Sequence, residues 1–229
     1  MRDFDKLSPN GAKRNLSLLL LILTLVGGSA FAGALEDFFV AVKNDDTRTV
    51  TNLLFRGFDP NSVDVKGYTG LLYAAREGSV KVATLLLSQN KTLVEARTPQ
   101  DESVLMLAAL AGNETLAKVL IDKGADVNKP GWTPLHYAAT KGHAGITKLL
   151  LEHHAYIDAE SPNKSTPLMM AAMYGTFDVV KLLVEEGADV SIKNEKGLTA
   201  LDFANIANRP DAQTYLAKVL DARRPKGAW

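Results

Sequence analysis

With no cysteine among its 229 residues, the sequence keeps its widest chemical range in four histidines, His136, His143, His153 and His154. These are the groups that could move protons near neutral pH or ligate a metal ion. His153 and His154 are adjacent, so on a helix their side chains diverge by about 100° and cannot close on one ion. Metal binding is further disfavoured by the number of ligands such a site needs. The sequence has no glycine-rich phosphate loop, no Gly-x-Ser-x-Gly elbow and no His-Glu-x-x-His pair. Its acidic residues are scattered without a paired arrangement. No catalytic residue, cofactor or metal is expected, and an enzyme or metal-binding protein is kept as a subordinate alternative only because a fold does not determine function.

The elements around these histidines are repeated. Cassettes of small and apolar residues open at Thr69, Ser103, Thr133, Thr166 and Thr199, at steps of 34, 30, 33 and 33 residues. A period in this range marks stacked supersecondary units. Each leading hydroxyl is placed to cap a helix, Pro134 and Pro167 supply first-turn geometry, and the alanine pairs that follow allow close helix approach. Gly78, Gly112, Gly142 and Gly175 come three residues after the second alanine, where a left-handed turn would stop the helix. A second helix follows, with aliphatic residues at helical spacing: Val82, Leu85 and Leu86; Leu116, Val119 and Leu120; Ile146, Leu149 and Leu150; Val179, Leu182 and Leu183. Gly-Ala-Asp at 124–126 and 187–189 closes two of these second helices.

The stretch Trp132-Thr133-Pro134-Leu135-His136-Tyr137-Ala138-Ala139, followed by Lys141-Gly142-His143 and Leu149-Leu150-Leu151, resembles the ankyrin repeat. Five units in register, preceded by a degenerate one carrying Phe39-Val40-Ala41-Val42 and Leu53-Leu54-Phe55-Arg56-Gly57, extend the resemblance over nearly the whole chain after residue 32. It implies an all-α solenoid of helix-turn-helix layers with short hairpin-like loops, and a scaffold role for His136 and His143 in hydrogen bonding between neighbouring loops. The expected units are 34–63, 64–97, 98–128, 129–160, 161–193 and a capping unit 194–222, within a domain 33–222 and ahead of a solvated tail 223–229. Two departures stand out. Asn128–Trp132 is three residues short, so that loop should be truncated and leave a notch, and Asn208-Arg209-Pro210 replaces the last turn glycine. Asp211, Gln213, Lys218, Asp221, Arg223 and Arg224 would give the cap a polar outer face.

Residues 1–32 read as an export signal. Arg2, Lys6, Lys13 and Arg14 lead an uncharged apolar run, Leu16–Val26, which ends near Ala30-Phe31-Ala32. The run is too short for a membrane span of about twenty residues. Cleavage after Ala32 is expected, by the general or the twin-arginine route, with an uncleaved anchor as the alternative. Removing that leader takes four basic and two acidic residues from 26 of each, leaving a charge of about −2. No basic field remains to collect nucleic acid.

What remains is recognition by surface, since solenoids present an extended concave face. The resemblance places on it the residue before each cap and the two after each alanine pair. From these, Tyr68, Arg76, Glu77, Glu102, Leu110, Trp132, Lys141, Met173 and Tyr174 are the expected partner-binding residues. Trp132, Leu110, Met173 and Tyr174 would form an apolar centre beside a charged flank of Arg76, Glu77 and Glu102, with Trp132 and Tyr174 as anchors. The expected function is that of a monomeric, exported module, placed in the periplasm, that binds or shields a partner protein. A secreted effector or toxin-neutralising protein is the alternative.

Overall fold

A computed structural model describes residues 33–223; the leader and the tail from 224 onward lie outside the described residues. The described residues form helices α1 (33–43), α2 (Thr47–Phe55), α3 (Gly70–Glu77), α4 (Val80–Leu87), α5 (Val104–Ala111), α6 (Glu114–Asp122), α7 (Pro134–Lys141), α8 (Ala144–Glu152), α9 (Pro167–Tyr174), α10 (Phe177–Glu185), α11 (Ala200–Ile206) and α12 (Pro210–Arg223). Helices of seven to nine residues do not hold alone in water. They hold by stacking: α3, α5, α7, α9 and α11 form one row, and α2, α4, α6, α8, α10 and α12 the other. Between the rows runs one continuous apolar core, from Phe38 to Leu216.

Local chemistry sets each unit. Thr69, Ser103, Thr133, Thr166 and Thr199 cap α3, α5, α7, α9 and α11, each hydroxyl accepting the amide N–H three residues on at 3.2–3.4 Å. Pro134 and Pro167 occupy first turns. The alanine pairs 74/75, 108/109, 138/139 and 171/172 are fully buried, which lets adjacent helices of the first row approach closely. In the second row Val82, Leu86, Leu116, Leu120, Ile146, Leu150, Val179 and Leu183 are buried, and Leu85, Val119, Leu149 and Leu182 sit half-buried at the rim.

Gly78, Gly112 and Gly142 end their helices in the left-handed region, and Asn208 does the same for the last unit at φ +51°. Gly175 differs. Its backbone is extended, φ −81° and ψ −153°, and a Cβ there would stand 2.3 Å from the Ala139 carbonyl oxygen. The glycine is required by contact with the preceding layer, not by a left-handed turn as its position predicts. Gly70, in the place proline takes in two other units, is explained the same way: Phe38 of α1 packs where its side chain would be.

Short loops project between the layers. Those at Asp64–Tyr68, Thr98–Glu102, Ser161–Ser165 and Asn194–Leu198 are each closed by a backbone N–H to carbonyl bond of 2.9–3.0 Å. Among the described residues the loop at 128–132 has no such bond, as its shorter length predicts. Every one of the five nevertheless keeps a left-handed residue two places before the cap: Gly67, Asp101, Gly131, Lys164 and Gly197. At the C-terminal end α12 runs through Arg223, whose guanidinium donates to the Ala188 carbonyl at 3.0 Å, so Arg223 belongs to the helix and not to the expected tail. Gln213 turns inward to the Ala204 carbonyl at 3.2 Å instead of joining the polar outer face.

Candidate functional site

Two clusters occupy corresponding places two layers apart, at α3 and at α7. Measured from its cap, each unit puts one aromatic residue immediately before the hydroxyl, Tyr68 or Trp132, and a tyrosine four residues after it, Tyr73 or Tyr137. The seventh residue after the cap is Arg76 in the first cluster and Thr140 in the second.

In the first cluster the two rings pack on each other, 5.2 Å between centres, and Arg76 occupies the space beside them. The Arg76 guanidinium lies 5.3 Å from the Tyr68 ring centre and 5.1 Å from that of Tyr73, within cation–π range. It also pairs with Glu77 at 3.0 Å. Tyr73, 3% exposed, donates its hydroxyl to Asp64 at 2.7 Å, and Lys43 sits 4.6 Å over its ring. Burial, then the Asp64 carboxylate, pushes the Tyr73 hydroxyl up to about 12, so it remains a donor. Burial pushes the Asp64 carboxyl upward as well, but hydrogen bonds from the Tyr68 amide, the Tyr73 hydroxyl and the Lys66 amide together hold it below its usual value.

In the second cluster the same space is open. Leu110, Trp132, Tyr137 and Thr140 line a cavity of 180 Å³. Tyr137 donates its hydroxyl to Glu102 of the preceding layer at 3.0 Å, and Thr98 donates to the other carboxylate oxygen at 3.2 Å. Burial, followed by that carboxylate, raises the Tyr137 hydroxyl above its ordinary value. The Trp132 ring stands edge-on to His136 at 5.2 Å, and the Thr140 hydroxyl donates back to the His136 carbonyl at 2.7 Å.

His136 anchors this layer to the next. It is fully buried, and its Nδ1 accepts the Thr133 amide N–H at 3.2 Å. Nε2 faces the Ser165 carbonyl at 2.9 Å; a carbonyl only accepts, so the proton is on Nε2 and the ring is neutral. Burial lowers its pKa to about 4, against the opposing bonds to Ser165 and Ala159. His143 Nε2 faces the Leu110 carbonyl at 3.3 Å. Both residues therefore carry the inter-layer bonding the sequence resemblance implies. His153 and His154 are not on a helix together: α8 ends at Glu152, and His154 is left-handed at φ +64°. Among the described residues no three metal-ligating side chains converge.

Of the residues expected to bind a partner, Tyr68, Arg76 and Glu77 fall in the first cluster, and Glu102, Leu110 and Trp132 in the second. Lys141 is exposed at the end of α7, Met173 is half-buried in the last turn of α9, and Tyr174 is 59% exposed. None of these three lines the cavity. The residues missed were Tyr73 and Tyr137 with the carboxylate Asp64. Their signal was present, since tyrosine recurs at the same place in two cassettes, two units apart.

Models of ankyrin repeats match residues 38–130, 90–161 and 150–204. Relatives include a human protein with ankyrin repeats and a KH domain, 37% identical over 109 residues, covering 45% of this chain and 4% of that protein. An ankyrin repeat-containing protein of Treponema pallidum is 32% identical over 124 residues, covering 52% of this chain and 42% of its own length. An ankyrin repeat protein of fowlpox virus is 35% identical over 114 residues, covering 48% of this chain and 79% of its own. The chain thus spans less than half the length of the first two.

Proposed function

Since this chain belongs to the ankyrin repeat family, whose domains are protein-interaction modules and generally non-enzymatic, we propose that it is an exported, monomeric binding protein that holds a partner protein on its concave face. The observation that carries the reading is the open cavity bounded by Trp132 and Tyr137 in the middle of the solenoid, whereas Tyr68 and Tyr73 of the first cluster are packed against each other and against Arg76. Half-buried aromatics around a cavity, with a polar rim, are the composition of a binding hot spot. Tyr174, exposed one layer on, extends the contact surface.

Capture of the partner from an extract of the producing cell tests this. Trp132→Ala combined with Tyr174→Ala should abolish recovery of a partner that the unaltered protein retains, while the far-ultraviolet spectrum stays unchanged. Undiminished recovery would place the partner elsewhere.

Export rests on the basic lead, the apolar run Leu16–Val26 and Ala30-Phe31-Ala32. Among the described residues no helix is long and apolar enough to cross a membrane. Mass spectrometry of the protein from osmotic-shock fluid should give a chain beginning at Gly33. Recovery only from the cytosol, at full length, overturns export.

A further inference from the structure

Resting on that reading of the concave face, we infer that the cavity between α5 and α7 receives an arginine side chain of the partner, stacked on Trp132 and Tyr137 and paired with Glu102. The molecule supplies its own precedent. Tyr68 corresponds to Trp132, Tyr73 to Tyr137 and Arg76 to Thr140, each at the same distance from its cap. Where the chain carries Arg76, the guanidinium occupies the space beside the two rings, within cation–π range of both; where it carries Thr140, the space is open.

Size and charge agree with that occupant. An apolar cavity of about 150 Å³ accommodates one benzene, whereas sites for whole cofactors or drug-sized ligands run from roughly 300 Å³ upward. At 180 Å³ the cavity takes one side chain. Leu110 offers an apolar wall for the arginine stem, and the rings offer faces to the guanidinium. Glu102 accepts from two neutral hydroxyls, Tyr137 and Thr98, and among the described residues it enters no ion pair. A carboxylate has about four acceptor sites, so a charged donor can still be received. The nearest acid on the same loop, Asp101, is already engaged by Lys129 and Arg97. Lys141 stands where Glu77 pairs with Arg76, which leaves Glu102, bonded to the Tyr137 hydroxyl at the cavity wall, as the counter-charge.

The test uses the whole chain after residue 32 with Trp229→Phe, which leaves Trp132 as the one tryptophan, and blocked Ala-Arg-Ala as the probe. Saturable change in Trp132 emission is expected at millimolar peptide, about tenfold weaker when citrulline replaces arginine or with Glu102→Gln. Thr140→Arg, which recreates the first cluster, should fold normally and abolish the response. Equal binding of the citrulline peptide, an unaltered response in Thr140→Arg, or no saturable response overturns the inference. Partner capture separates the two readings. A partner retained by Thr140→Arg and Glu102→Gln but lost from the Trp132→Ala, Tyr174→Ala pair leaves the concave face standing and removes arginine, whereas retention throughout removes both.

Discussion

The clusters around Tyr73 and Tyr137 are built on one register and come out differently. Each tyrosine gives its hydroxyl to a carboxylate, and each has an aromatic neighbour just ahead of the helix cap. The carboxylate is local in the first case, nine residues away, and in the second belongs to the preceding layer, 35 residues away. In the first cluster the protein's own Arg76 and Lys43 cover the rings; in the second, among the described residues, none fills the space against Leu110. The difference teaches that the repeat fixes where side chains stand, while the residues set at those places, Arg76 against Thr140 foremost, leave the surface closed in one unit and open in the other.

Acid should break the comparison most strongly. The third residue after the cap is Leu72 in the first cluster and His136 in the second. Burial holds the His136 pKa at about 4, below its unfolded value of about 6.5, so the unfolded chain binds more protons in that window. The contribution is present above pH 6.5 and is lost as pH falls toward 4, reaching about 3 kcal/mol there. Solenoid layers open semi-independently. Hydrogen exchange at pH 4.5 should therefore show α7 and α9 losing protection before α3, and His136→Leu should flatten the dependence. Uniform loss along the solenoid would contradict this.

A smaller effect separates the two hydroxyls. Tyr73→Phe takes the donor from one Asp64 oxygen, the other keeping the Lys66 and Tyr68 amides, beside a nearly buried ring and should cost about 2 kcal/mol, whereas Tyr137→Phe, nearer solvent, should cost about 1 kcal/mol. Urea midpoints at unchanged slope measure both. Smallest is the reciprocal of the open site: Arg76→Thr should cost about 0.5 kcal/mol, because its ion pair with Glu77 is solvent-exposed, and should create a second place that responds to the arginine peptide.

The features written in adjacent residues were legible in advance: the five capping hydroxyls, the first-turn prolines, the left-handed Gly78, Gly112 and Gly142, and the shortened loop at 128–132. Those set by a neighbouring layer were not. Gly175 was misassigned because the Ala139 carbonyl that excludes its side chain lies a unit away. Asp101 and Lys164 take left-handed backbone without being glycine, so nothing in their type marked them. Leu110 and Trp132 were found by repeat position, but the Tyr137–Glu102 bond that completes their surroundings joins different units, and Tyr174 was grouped with them by proximity in the repeat alone.

The abbreviated loop before α7 keeps both Gly131 in its left-handed place and Thr133 in its capping bond while dropping the backbone closure that its counterparts have. Length at that seam is thus uncoupled from the cap and the left-handed turn, while Asn128 bonds to His154 and Tyr156 and Lys129 to Asp101 of the preceding layer. Residues inserted between Lys129 and Gly131, or grafted there from another loop, should reshape what the middle of the molecule recognises while leaving those bonds and the scaffold in place.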